Sequence, residues 1–178
     1  MNKVTRGWRA PGAKEVFWIG DDYGMNVNEN IGVSGHWLFT WQDQAGNATI
    51  REVKNIVVQS GLEALAALVV GEIPQGNAIF LALGTGTTVA DHADTILEEE
   101  GYRKIIASRS RFSSEIRFRF FFTVSEGNGD WSEAGVFLAG TEMPDTGHLL
   151  NRVLPPGGVS KADNQTLTVE VRISLYAA

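Results

Sequence analysis

The chain has 178 residues, of which 43% are hydrophobic and 20% charged, and its net charge is −6. A chain of this length can bury a core without disulfides, and its lack of cysteine excludes disulfides, thiol nucleophiles and cysteine-ligated metals. The acidic balance disfavours broad non-specific nucleic-acid binding, and no run approaches the roughly 18 apolar residues of a membrane span.

The first 32 residues contain several aromatic side chains but no regular hydrophobic period. These aromatic residues are Trp8, Phe17, Trp18 and Tyr23. A solvated tail normally avoids exposing so many rings. We therefore predict an extended N-terminal arm over residues 1–32, packed on its own subunit or on a neighbour, and a domain over residues 33–178.

Residues 35–57 predict a β-hairpin. Trp37, Phe39 and Trp41 alternate along the first strand, so that their rings share one face. Asp-Gln-Ala-Gly-Asn at 43–47 supplies the turn. Packing in the core is the favoured interpretation of the three rings, and binding of a sugar or a base is the alternative.

Residues 60–70 predict one amphipathic helix. Ser60 and Glu63 have the spacing of a capping box, and Gly71 offers a C-terminal stop. The apolar stripe expected to face a sheet consists of Leu62, Leu65, Ala66 and Val69.

The second half of the chain is dominated by strand patterns. Residues 113–124 and 165–177 alternate strictly between apolar and polar side chains, and shorter apolar runs occupy 131–140 and 149–155. Short strands separated by Gly, Pro and Asn predict a mainly β fold, an antiparallel β-sandwich with the single helix docked on it.

The stretch Phe-Leu-Ala-Leu-Gly-Thr-Gly-Thr-Thr at 80–88 raises the question of a phosphate-binding loop. A Walker loop requires a lysine that is absent here, and a dinucleotide fingerprint requires a third glycine where Val89 stands. We therefore interpret the glycines as a turn by which the backbone leaves the sheet.

Other chemistry-bearing residues also lack a specific pattern. Asp91, His92 and Asp94 could contribute to a metal site, but their spacing matches no EF-hand loop and no His-Glu-x-x-His motif. No Gly-x-Ser-x-Gly elbow surrounds any serine. A solvated acidic loop continued by Glu98–Glu100 is the favoured interpretation, and we predict no catalytic site, no metal and no cofactor.

Arg117, Arg119 and Phe121 share the polar face of the strand at 113–124. Basic side chains next to an aromatic ring can bind single-stranded nucleic acid, or they can form a subunit contact. The net negative charge favours the contact, so these three residues join the arm aromatics as predicted interface residues. Acidic loops such as Glu98–Glu100 would supply the partners of the two arginines.

Four segments in a fixed order resemble a family of tailed-bacteriophage structural proteins. They lie at 54–71, 79–104, 131–140 and 149–175, and the similarity covers about residues 35–175. In that family a helix introduced by Asn and Gly-Leu leads to a strand ending in Ala-Leu-Gly-Thr-Gly-Thr-Thr, and Glu-Ala-Gly-Leu-Phe and an arginine-bearing strand follow. The matching positions are Asn55, Gly61, Leu62, Leu65, Ala82–Thr88, Asp94, Thr95, Leu97, Glu100, Glu133–Phe137 and Arg152. The chain departs from the family at Val89–Ala90 and at Val136.

The resemblance implies a non-enzymatic virion component, assembled in the cytoplasm of the bacterial host and usually located in the tail, baseplate or fibre region. We expect a homo-oligomer, a trimer or a ring, that bridges other phage virion proteins without directly contacting nucleic acid. A capsid decoration protein on the phage head is one alternative. A module that binds a host surface glycan is another.

Overall fold

The computed structural model describes residues 31–74 and 78–177, which are mainly strand. The predicted arm lies outside the described residues, except for Ile31 and Gly32, which begin the first strand. The described elements are β1 (Ile31–Asp43), β2 (Ala48–Val57), α1 (Gln59–Val70), β3 (Ile79–Gly84), β4 (Glu100–Ile105), β5 (Ser108–Phe112), β6 (Glu115–Phe122), β7 (Gly129–Trp131), β8 (Glu133–Leu138), β9 (His148–Val153), β10 (Val159–Lys161) and β11 (Gln165–Ala177).

Nine of these strands form a single antiparallel sheet in the order β4-β3-β8-β9-β2-β1-β11-β6-β5, and β10 pairs with β7. The predicted hairpin is confirmed as β1 and β2. The Asp43 carboxylate accepts the N–H groups of Ala45 and Asn47, each at 2.9 Å, and Gly46 adopts a left-handed φ of 86° in the turn between the two strands.

The sheet curls into two layers because β2 passes from one layer to the other. Its residues up to Asn55 pair with β1, whereas Ile56 and Val57 pair with Arg152 and Asn151 of β9. At the opposite side, the chain crosses between layers at residues 106–107. The N–H of Ile106 donates to the carbonyl of Ile79 in one layer, and the N–H of Ala107 donates to the carbonyl of Arg119 in the other.

We call β1, β11, β6, β5 and residues 48–55 of β2 the front layer, and β9, β8, β3 and β4 the back layer. The main core lies between the two layers, which confirms the predicted antiparallel sandwich. Trp37 and Phe39 are fully buried there, with ring centroids 5.6 Å apart, and Trp41 is 8% exposed. The alternating strands at 113–124 and 165–177, now β6 and β11, supply further core-facing apolar residues of the same front layer.

The predicted helix is present, but it docks through a different face and without a capping box. Its N-cap is Val58, which makes no side-chain cap, and Ser60 instead donates its hydroxyl to the carbonyl of Leu149 at 2.9 Å. Gly61 and Ala64 are the buried positions, whereas Val69 is 87% exposed. The backbone of β9 comes so close to α1 that small residues form its most buried positions. Of the expected stripe, Leu65 packs against the core, whereas Leu62, Ala66 and Val69 are exposed. Gly71 ends the helix in the left-handed conformation, as predicted.

Candidate functional site

The glycine and threonine loop at 84–88 is held by carboxylates of the protein itself. Glu133 Oε1 accepts the N–H of Gly86 at 3.1 Å. Glu98 Oε2 accepts the N–H groups of Thr87 at 2.6 Å and Thr88 at 2.8 Å. These are the backbone donors that a phosphate would need, and here each of them already has an anionic acceptor.

The two glycines are required by the closeness of those carboxylates. A Cβ atom on Gly84 would lie 2.5 Å from the Glu99 carbonyl oxygen and 2.6 Å from Glu133 Oε1. A Cβ atom on Gly86 would collide with the same Glu133 oxygen and with Glu98 Cβ. The loop therefore lets the backbone leave β3 while the carboxylates approach it closely.

Glu133 and Arg152 form a buried ion pair below this loop. Glu133 is fully buried and Arg152 is 2% exposed. Arg152 Nε and Nη2 each lie 2.8 Å from Glu133 Oε2, and Glu133 also accepts the N–H groups of Glu98 at 3.2 Å and Glu99 at 2.8 Å. Nearly every acceptor site of this carboxylate is thus used, as a buried charge requires.

The remaining donors of Arg152 reach the acidic loop. Nη1 donates to Asp94 Oδ2 at 2.8 Å, and Nη2 donates to the carbonyl and hydroxyl oxygens of Thr88, both at 3.2 Å. Burial alone would lower the pKa of Arg152, but its hydrogen bonds to Asp94 and Glu133 outweigh burial and raise it. Hydrogen bonds from the backbone and hydroxyl of Thr88 lower the pKa of Glu98.

The acidic loop lies at the surface, where Asp91, Glu98 and Glu99 are exposed, but internal hydrogen bonds also hold its side chains. Asp94 is committed to Arg152 and His92 Nδ1 lies 3.1 Å from the Val57 carbonyl, while the Asp91 carboxylate accepts the N–H of Ala93 at 2.8 Å. Within residues 31–74 and 78–177, no group of three or more His, Cys, Asp or Glu residues could hold a metal ion. These hydrogen bonds fix the positions of the three side chains within the loop.

A second buried ion pair lies beside the first. Arg103 and Glu100 have side chains only 4% and 1% exposed, and Arg103 Nη2 donates to Glu100 Oε2 at 2.9 Å. The guanidinium also lies 4.4 Å from the centroid of the Phe137 ring. Its Nη1 donates to the Thr146 carbonyl at 2.9 Å, which ties the 139–147 loop to β4. This ion pair was not predicted from the sequence: Glu100 stands at the end of an acidic run and among the family-like positions, but no local pattern links it to Arg103.

Several of the positions that carry the sequence resemblance converge on these two ion pairs. Glu133, Arg152, Asp94 and the loop at 84–88 form one network, and Glu100 belongs to its neighbour. The structure places the other matching positions elsewhere: Gly61 contacts Leu150, and Asn55 marks the point where β2 changes layers.

The predicted interface residues of β6 lie together on the outer surface of the front layer. Arg119 and Phe121 are exposed, Phe121 by 41%, and Arg117 pairs with Glu115 at 2.5 Å. The Arg117 guanidinium lies 5.5 Å from the centroid of the exposed Phe112 ring. The other predicted interface residues, Trp8, Phe17, Trp18 and Tyr23, lie outside the described residues.

Two further features bear on ligand binding. Trp37 and Trp41 face the core, and Trp41 Nε1 donates to the Ser160 carbonyl at 2.9 Å, so these two rings do not offer a flat surface to a sugar. An open groove of about 380 Å³ lies between residues 54–56, 152–154 and 89–90. Lys54 and Arg152 are the titratable side chains among the described residues that line it.

No helix in the described ranges has the length and apolar character needed to cross a membrane.

Comparisons with protein-family models, curated proteins and solved structures found no match to this chain. Function is therefore inferred from the sequence and the fold of the chain itself.

Proposed function

We propose that the chain is a non-enzymatic structural protein of a tailed-bacteriophage particle, which self-assembles as a trimer or a ring and bridges other virion proteins in the tail or baseplate region. The observation that supports this function best is the convergence of the family-like positions on an internal network. Glu133 and Arg152 hold a loop in place, and their hydrogen-bonding capacity is used within the protein.

The outer surface of the front layer is suited to contact with other proteins. It presents Arg119 and Phe121 to solvent, and Phe112 is 69% exposed. Exposed aromatic rings and arginines are the side chains most enriched in protein interfaces. The acidic run Glu98–Glu100 was the predicted partner of Arg117 and Arg119. Glu98 and Glu100 are already bound within the subunit, to Thr88 and to Arg103.

The proposed mechanism of assembly is exchange of the N-terminal arm between subunits. Trp8, Phe17, Trp18 and Tyr23 would pack on a neighbouring subunit and add buried apolar area to the contact. Both layers and the helix described above lie within residues 31–177, so deletion of residues 1–30 removes none of these elements.

Deletion of residues 1–30 tests this mechanism. We expect the truncated protein to remain folded by circular dichroism and to lose assembly in light scattering coupled to gel filtration. A full-length variant with the four arm aromatics replaced by alanine keeps the chain length and charge, and it should also fail to assemble. Normal assembly of both variants would show that the arm is not the assembly element.

Two alternative functions have tests of their own. A head decoration protein would use the same sandwich and arm, and electron microscopy of particles carrying a labelled chain distinguishes head from tail. The Trp37 and Trp41 rings are buried, so a host-glycan module could not use them as its binding surface. Glycan-array binding by the purified chain would nevertheless support it.

A further inference from the structure

Strand β5 is an unusual edge of the sheet. It is the last strand in the nine-stranded order, and all five of its residues, Ser108–Phe112, are exposed. Within residues 31–74 and 78–177, only β6 pairs with it. An exposed edge strand presents unpaired backbone N–H and carbonyl groups, to which another extended segment can add.

The surroundings of this edge are basic in an acidic protein. Residues 108–119 contain Arg109, Arg111, Arg117 and Arg119 but only one acidic residue, Glu115, whereas the chain as a whole carries a net charge of −6. Two β5 strands from a pair of subunits would not suit each other. A two-fold antiparallel pair centred on Ser110 would place Arg109 opposite Arg111, and directly opposed like charges are destabilising. The edge therefore favours an acidic strand.

An acidic segment with the pattern of a strand lies in the same chain, just before β1. Residues 20–30 contain Asp21, Asp22 and Glu29 and no lysine or arginine. Tyr23, Met25 and Val27 alternate with Gly24, Asn26 and Asn28. This is the period-two pattern of a half-buried strand.

Building on the proposed assembly function, we infer that residues 20–30 of one subunit add as an antiparallel strand to β5 of a neighbouring subunit. The connection to β1 explains why the strand comes from a neighbour. Within one subunit β5 runs antiparallel to β1, because β11 and β6 lie between them and every pair is antiparallel. A strand antiparallel to its own β5 would thus run parallel to β1, and parallel strands need a crossover of about a dozen residues. Residues 20–30 continue directly into β1 and leave no such connection.

Charge reversal in the full-length chain tests the inference. Arg109→Glu with Arg111→Glu, and separately Asp21→Lys with Asp22→Lys, should each weaken self-association by about tenfold or more, because each places like charges together. The variant that combines all four substitutions should regain association, since the opposite charges then face each other again. Analytical ultracentrifugation measures the three association constants against that of the wild type.

Two controls separate strand addition from a general charge effect. Lys54→Glu makes the same charge change as Arg111→Glu at an exposed position of β2, far along the sheet from β5, and should leave association unchanged. Hydrogen exchange reports the backbone directly. Amides of residues 108–112 that point away from β6 should be protected in the assembled protein and exchange rapidly in the charge-reversed pairs.

The outcomes distinguish this inference from the proposed function. An assembled wild type whose β5 amides exchange freely, with association insensitive to Arg109→Glu and Arg111→Glu, overturns strand addition alone. A wild type that stays monomeric overturns both. Tight binding of a single-stranded oligonucleotide that Arg111→Glu abolishes, while assembly is unchanged, would assign the basic edge to nucleic acid and also overturn the inference.

Discussion

Arg152 Nε donates to Glu133 Oε2 at 2.8 Å, between side chains that are 2% and 0% exposed. The pair joins β9 to the start of β8 and positions the loop that follows β3, because Glu133 also binds the N–H of Gly86. A buried ion pair of this kind adds little stability compared with an apolar pair, but removal of one partner leaves an uncompensated buried charge.

Substitution of Arg152 alone should therefore be severe. We expect Arg152→Met to lower the free energy of unfolding by about 3 to 5 kcal/mol. Arg172→Met is the matched control, because Arg172 pairs with Glu170 on the partly exposed outer surface, where such pairs contribute about 1 kcal/mol or less. Urea unfolding followed by tryptophan fluorescence measures both. The double variant Glu133→Gln with Arg152→Met should lose less than the sum of the single variants, and strict additivity would contradict the pairing.

The loop glycines provide a steric test of the same arrangement. Gly86→Ala should destabilise the protein by about 1 to 3 kcal/mol, since its Cβ would collide with the Glu133 carboxylate and with Glu98 Cβ. Thr87→Ala changes the neighbouring exposed residue, whose side chain points to solvent, and should change stability by less than about 0.5 kcal/mol. Thermal unfolding of the two variants compares them directly, and equal stability would indicate that the carboxylates do not approach the loop.

The pH dependence of stability should include a contribution from Glu126. Its hydrogen bond to Lys104, at 2.5 Å, and a bond from the Thr123 N–H lower its pKa from 4.5 to about 2. A carboxyl group with a lowered pKa in the folded state stabilises fully above pH 4.5, and this stabilisation is lost as the pH falls towards 2. Solvent screens the partly exposed pair, so we expect Glu126→Gln to cost about 1 kcal/mol at pH 7.

That cost should shrink progressively as the pH falls from about 4.5 through about 2, and below that pH wild type and Glu126→Gln should become equally stable. Carboxyl chemical shifts measured by nuclear magnetic resonance give the pKa of Glu126 itself. Lys104→Met should raise that pKa, because it removes the largest cause of the shift. A pKa near 4.5 in the unmodified protein would contradict the Lys104 contact.

The strands that sequence periodicity predicts are those with one face on the core. β6 and β11 alternate because every second side chain packs between the layers. β5 was not predicted, for the opposite reason. Both of its faces are exposed, so packing imposes no alternation of apolar and polar side chains on Ser108–Phe112.

The ion-pair network could not be predicted from local sequence. Arg152 lies 19 residues from Glu133 and 58 from Asp94 along the chain, and only the pairing of β8 with β9 and the course of the loop after β3 bring the three together. Without that pairing, an acidic run such as Glu98–Glu100 is indistinguishable from a solvated surface. Glu133, Arg152 and Asp94 are also among the family-like positions, but the order of those motifs does not indicate that the three side chains meet.

In α1, intrinsic helix propensity and tertiary packing predict opposite effects of one substitution on stability. Taken alone, Gly61→Ala should stabilise α1 by about 1 kcal/mol, because alanine is the better helix former. In the folded protein its Cβ would collide with the backbone of Leu150 in β9. We therefore expect Gly61→Ala to destabilise the protein by about 1 to 3 kcal/mol, as overpacking against a backbone does.

Ala66→Gly is the control within the same helix. Ala66 is exposed, so its replacement should cost about 1 kcal/mol through helix propensity alone. Urea unfolding of both variants decides between packing and propensity, because the two predict opposite signs for Gly61→Ala. A more stable Gly61→Ala protein would mean that α1 does not rest on β9 at this position, and that the apolar stripe at Leu62 and Val69 is its contact face after all.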